Sequence, residues 1–157
     1  LQKIALFVDV QNIYYTSKQA YQRQFDYQKF WTQATANREV VAAIAYAIDK
    51  GDSKQLSFQQ RLRDIGFEVK LKPYLQRRDG SAKGDWDVGI TLDVIEIAAQ
   101  VDVITLLSGD GDFNLLLAKA HQRYGVTTEV YGVPALTSPA LIQAAQQFIA
   151  IDDKLLL

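Results

Sequence analysis

At 157 residues the chain is most simply one domain, residues 1–157, large enough to bury about two-thirds of its unfolded surface without staples. It has no Cys, a single His121, and 17 basic against 18 acidic residues. That excludes disulfides, thiolate nucleophiles and metal sites built on thiolate or imidazole, and any nucleic-acid partner must be held by a local basic patch or a metal.

No apolar run is long enough to span a bilayer, and the apolar residues 3–8 are too few for a secretory signal, so a cytoplasmic protein without membrane contact is expected. The chain starts at Leu1 and contains no Met, as expected of an incomplete record of the natural sequence.

Residues 4–8 form an apolar run that reads as a buried strand ending at Asp9, with Asn12, Tyr14 and Tyr15 just beyond. A short helix is expected over 28–36 around Phe30 and Trp31, and a second strand over 40–48, which is rich in Val, Ile, Ala and Tyr. After the Gly51-Asp52-Ser53 turn, residues 53–64 read as a helix with Leu56 and Leu62 apolar and Arg61 and Arg63 solvated; Gly66 closes it. Residues 67–71 alternate Val69 and Leu71 against Lys70 and Lys72, the pattern of an edge strand with one wet face. Residues 73–84 have loop chemistry, and a mobile loop carrying Arg77, Arg78 and Lys83 is expected there.

Residues 85–100 predict a helix with two apolar rows, one of Ile90, Val94 and Ala98 and one of Val88, Leu92, Ile95 and Ala99. Residues 103–107 are apolar without alternation, which fits a strand buried on both faces, and the run stops at Ser108-Gly109-Asp110-Gly111-Asp112. A helix over 114–123, a strand over 127–131, a turn at Pro134, a helix over 138–147 and a short strand over 148–151 complete the chain. Strands alternating with helices imply an α/β fold, a parallel sheet with helices on both faces.

In such sheets ligands bind outside the carboxyl ends of the strands, where Asp9, Ser108, Asp110 and Asp112 fall. Asp87 shares its helical row with Ile90, Val94 and Ala98, so it starts on the buried side of a helix N-terminus. Asp93 lies in a solvated row, and Asp85, about 200° around the helix from Asp87, caps or faces water. Asp9, Asp87 and Asp110 are therefore the candidates for one site, with Asp112 and Asn12 close behind. Converging carboxylates repel unless a cation neutralises them or one takes a proton, and Mg²⁺ or Mn²⁺ suits an oxygen-only set. Such a metal activates water and stabilises a phosphodiester during hydrolysis. Taken singly, Asp9 or Asp110 fits a helix cap better than a catalyst, and Tyr14 and Tyr15 fit rim packing better than base stacking. A calcium loop fails because Leu115 stands where Gly is required; a dinucleotide fingerprint fails because Asn114 replaces its third Gly.

Three blocks, residues 7–12 (Phe-Val-Asp-Val-Gln-Asn), 83–88 (Lys-Gly-Asp-Trp-Asp-Val) and 108–113 (Ser-Gly-Asp-Gly-Asp-Phe), resemble in order and spacing the signature blocks of the NYN domain, the LabA-like branch of the PIN-like nucleases. The resemblance covers essentially the whole chain. It implies a three-layer α/β/α sandwich with a mainly parallel central sheet, PIN-like and Rossmann-like in topology, and Mg²⁺- or Mn²⁺-dependent ribonuclease activity at an acidic pocket. By motif position Asp9, Asn12, Asp87, Asp110 and Asp112 are its pocket residues, Lys83 could meet a phosphate, and Asp93 falls where an acid is common. Val10-Gln11 depart from the smaller residues expected in the first block.

The expected function is a divalent-metal-dependent endoribonuclease in which Asp9, Asp87 and Asp110 hold the metal and Asn12, Ser108 and Asp112 complete or orient that shell. Lys83, Ser108, Arg77, Arg78 and Tyr14 are the candidates for binding RNA, the expected partner; a homodimer is compatible. The alternative is a catalytically silent nuclease-like domain that binds RNA or regulates. An aspartyl-phosphate phosphatase would need an Asp where Gln11 stands.

Overall fold

The computed structural model describes residues 1–73, 75–76, 82–83 and 85–157, with side chains only outside 73–84. In chain order the elements are β1 (Gln2–Asp9), α1 (Val10–Tyr21), α2 (Tyr27–Thr35), β2 (Arg38–Asp49), α3 (Ser53–Ile65), β3 (Glu68–Pro73), β4 (Leu75–Gln76), β5 (Ala82–Lys83), α4 (Asp87–Ala98), β6 (Val103–Leu107), α5 (Asn114–Tyr124), β7 (Thr127–Gly132), α6 (Pro139–Ala144) and β8 (Gln147–Ala150). Six strands form one parallel sheet in the order β3-β2-β1-β6-β7-β8. β4 and β5 pair antiparallel as a separate two-stranded hairpin.

The uninterrupted apolar runs sit at the centre, as burial on both faces requires. Residues 4–9 of β1 and all of β6 are buried. Because side chains alternate along a strand, Ile4, Leu6 and Val8 face one layer with Ile13, Phe30 and Leu62 of α1, α2 and α3. Ala5 and Phe7 face the other, with Ile90, Val94, Leu117 and Leu141 of α4, α5 and α6. This is the three-layer α/β/α sandwich.

Several local expectations shift. Helix α1 escapes sequence reading because only Val10, Ile13 and Ser17 are buried, a stripe too narrow to show as periodicity. Residues 145–147 do not extend α6: Ala145 turns to extended backbone (φ −76°, ψ 140°) and Gln147 opens β8. The second apolar row of α4 is core only in part: Ile95 packs against the buried cluster, but Val88 and Leu92 are 69% and 64% exposed, and Leu56 of α3 is exposed too. Lys70 and Lys72 do not face open water. Lys70 pairs with Asp93 on α4 at 2.8 Å, and the Lys72 ammonium lies 4.5 Å from the centre of the Trp86 ring. The expected mobile loop and its Arg77 and Arg78 fall outside the described residues, apart from the backbone of the hairpin.

A candidate metal centre at the switch point

The middle of the sheet is where successive connections leave in opposite directions, to β2 on one side of β1 and to β7 on the far side of β6. Asp9 is the last residue of β1 and continues the Ala5–Phe7 alternation toward α4 and α5. Val8 pairs with Leu107, so Asp9 comes level with Ser108, which continues the Ile104–Leu106 alternation onto the same face.

Ser108 is fully buried and joins two of the acids. Its hydroxyl donates to Asp9 Oδ2 at 3.2 Å and accepts the Asp110 amide at 3.1 Å. Asn12 Oδ1 accepts the Gly109 amide at 2.9 Å, tying the first turn of α1 to the loop after β6. Asp110 Oδ1 in turn accepts the Asp112 amide at 2.9 Å and starts a 3-10 turn over Gly111–Phe113. The loop nests against residues 136–138, and a side chain at 109 would put Cβ 2.7 Å from the Leu136 carbonyl oxygen, so only glycine fits.

The third acid is delivered by α4. Trp86, just before the helix, donates its indole N–H to the Ala47 carbonyl at 2.9 Å and leans on Tyr46 with ring centres 5.3 Å apart. One carboxylate oxygen from each of Asp9, Asp87 and Asp110 lies within 4.8 Å of the others. Among the described residues no ion pair involves any of the three.

The electrostatic consequence is unfavourable ionisation. Burial raises the Asp9 carboxyl from 3.8 to about 6, with Asp110 and Asp85 adding to the rise. Opposing it are the nearby Asn12 amide, which makes no full capping bond, and the Ser108 hydroxyl. Asp87 is raised from 3.8 to about 7 by burial first, then by the Asp110 and Asp85 charges, a hydrogen bond with Asp110, and Asp9. Three hard oxygen donors without nitrogen, sulfur or a described cationic partner match the chemistry of a hard divalent cation.

The remaining expected residues divide around this centre. The Asp112 carboxylate stands outside the trio, and its contribution is the amide held by Asp110. Asp93 is also outside; it accepts the Tyr46 hydroxyl at 2.7 Å and Lys70 Nζ at 2.8 Å, so it is not the solvated residue its row suggests. Asp85 accepts the Asp87 amide at 3.2 Å and stays exposed. Ser108, expected at the substrate, has no exposed surface with which to reach one. Tyr14 is 47% exposed on α1. The side chains of Lys83, Arg77 and Arg78 lie outside the described residues. Sequence reasoning missed the anchoring roles of Trp86, which stands between Asp85 and Asp87 in the second block, and of Tyr46, which pairs with Asp9 only across strands and has no local signal.

Comparison with known proteins matches this architecture. A sequence profile of the NYN domain matches residues 3–152. The low amplitude and bright protein LabA of Synechococcus elongatus is 28% identical over 162 residues, covering 96% of this chain and 84% of that protein. A crystal structure of a protein of unknown function from Vibrio parahaemolyticus superposes with a TM-score of 0.95 at 62% identity, covering 99% of this chain and 96% of that one. Ribokinase from Giardia lamblia shares the fold alone, with a TM-score of 0.53 at 10% identity over 98% of this chain and 58% of the other.

Proposed function

The chain belongs to the NYN domain family, and from that premise we propose that it is a divalent-metal-dependent ribonuclease, hydrolysing RNA phosphodiester bonds at the acidic centre. The likeness to LabA supports a nuclease-like fold. One observation carries the reading: three carboxylates from three separate elements converge within 4.8 Å at the sheet's switch point. Repulsion makes such convergence costly for the fold alone, so it is best explained by a ligand of opposite charge.

Asp9, Asp87 and Asp110 would hold the ion, Mg²⁺ or Mn²⁺ by their oxygen chemistry. The bound ion would supply an activated water and charge stabilisation at the phosphate. Ser108 spaces Asp9 from the Asp110 amide, and Asn12 holds Gly109 so that Asp110 faces the pocket. Asp112 fixes Asp110 through its amide, and its own side chain is exposed. Lys83, Arg77 and Arg78 remain the proposed phosphate contacts on the segment leading into α4.

The test is cleavage of structured and unstructured RNA with Mg²⁺, Mn²⁺ or EDTA, comparing wild type with Asp110→Asn. Metal-dependent cleavage lost in the variant, by on the order of a hundredfold or more, is expected. Metal-induced thermal stabilisation without any cleavage would instead favour the catalytically silent nuclease-like domain that binds RNA or regulates.

A further inference from the structure

A cleft of about 660 Å³ opens between α1 and α3, and its lining begins with Val10 and Gln11, the residues that follow Asp9. That volume is typical of a ligand site. Tyr14 and Tyr15 line it and are 47% and 54% exposed, an unusual display of two large rings on one helix turn. Their centres are 5.5 Å apart at an interplanar angle of 76°, and the Lys18 ammonium lies 5.5 Å from the centre of the Tyr14 ring. Gln11, Tyr14, Tyr15 and Lys18 follow the i, i+3, i+4, i+7 spacing, so they form one stripe along α1. At 1.5 Å per residue, Tyr15 lies about 9 Å along the axis from Asp9.

The facing wall is cationic. Lys54 and Arg61 of α3 line the cleft, with the Arg61 guanidinium 5.7 Å from the centre of the Phe58 ring. The acid among the lining residues, Asp52, is turned to its own helix, accepting the Gln55 amide at 2.8 Å. On a chain with net charge −1, a cationic, aromatic cleft whose lining starts one residue after Asp9 discriminates between ligands. Aromatic faces interleaved with cations are how proteins hold unpaired bases and their phosphates together, whereas a duplex offers no free base faces to a ring.

We propose that the α1–α3 cleft binds a single-stranded segment of RNA, with bases against Tyr14 and Tyr15 and phosphates toward Lys54 and Arg61, leading the strand to the acids beside α1. This deepens the ribonuclease reading and rests on it for the direction of the strand. It gives Tyr14, already a candidate for RNA contact, a base-stacking role and adds Tyr15, because the structure leaves both residues about half exposed.

The experiment is fluorescence anisotropy of a short labelled oligouridine, and of a blunt RNA duplex of equal length, with the full chain in EDTA so that no cleavage occurs. Wild type should prefer the single strand. Tyr14→Ala with Tyr15→Ala should weaken oligouridine binding about tenfold or more. Lys54→Ala with Arg61→Ala should lower the slope of log affinity against log salt by about 1.4, the loss of two single-strand phosphate contacts. The charge variant keeps the test decisive should the tyrosine variant fail to fold. Equal binding of duplex, no binding of oligouridine by wild type, or wild-type behaviour in the folded variants overturns the cleft. Cleavage with intact binding in the cleft variants would leave the hydrolytic reading standing while the cleft falls; oligouridine binding by a wild type that never cleaves, weakened in the cleft variants, does the reverse.

Discussion

Single carboxyl groups give the most direct handle on the centre. In the metal-free protein Asp9 and Asp87 titrate near 6 and 7, whereas in the unfolded chain both return to about 3.8. Between those values the folded state holds protons that the unfolded state has released, so stability falls as pH rises. Their stabilising contribution is complete below about 4 and is lost as pH rises through 6 and 7. Asp110→Asn keeps the oxygen that accepts the Asp112 amide and removes one of three mutually repelling charges. At pH 8 without metal it should therefore raise stability by on the order of 1 kcal/mol, or about 3 °C in melting temperature. The gap between variant and wild type should close as pH falls to 5. Mn²⁺ should raise the wild-type melting temperature by mass action and do far less for the variant. Thermal melts at the two pH values, with and without metal, check all of this, and a metal-free Asp110→Asn protein that melts lower would mark Asp110 as a structural cap.

Among the elements, α4 carries the acid with the longest route to its place. Asp87 sits at a helix start with no side-chain cap at Trp86, and the helix is pinned by the Trp86–Ala47 hydrogen bond, the Lys72 contact and the Tyr46–Asp93–Lys70 cluster. Replacing Trp86 by Phe keeps a ring but deprives the Ala47 carbonyl of its donor, a loss of about 1 kcal/mol. Trp86→Ala removes the anchor as well and should cost about 2 kcal/mol or more. If the anchor positions Asp87, the Ala variant should also show a smaller Mn²⁺-induced melting shift than wild type. Calorimetry with and without Mn²⁺ separates the two effects, and a full shift in a destabilised protein would confine Trp86 to packing.

For the molecule as a whole, near-neutral charge decides how RNA can be attracted. With a net charge of −1 there is no long-range pull on a polyanion, so affinity must come from local cations. Arg77 and Arg78 lie on the segment that feeds α4, and replacing both by Ala should weaken RNA binding and flatten its salt dependence. Affinity measured across a salt series checks this, and an unchanged slope would move the RNA path elsewhere. The same accounting explains why Lys70 and Lys72 are poor candidates for that rim: one is neutralised by Asp93 and the other lies against Trp86.

The sequence by itself determined the sandwich, because apolar runs such as 4–8 and 103–107 can only be satisfied by burial on both faces. It also singled out Asp9, Asp87 and Asp110, since each sits where an apolar pattern ends and the family blocks name the same positions. Only the tertiary structure decided which acids meet. Asp93 and Asp112 are aspartates like the chosen three, yet sheet order and the seating of α4 turn Asp93 to Tyr46 and leave Asp112 outside. Burial of Ser108, docking of Trp86, exposure of Tyr14 and Tyr15 and the α1–α3 cleft were equally illegible, because each depends on residues tens of positions apart. Periodicity reports which side of its own element a residue occupies; what stands opposite is set by how elements pair, and that information is non-local.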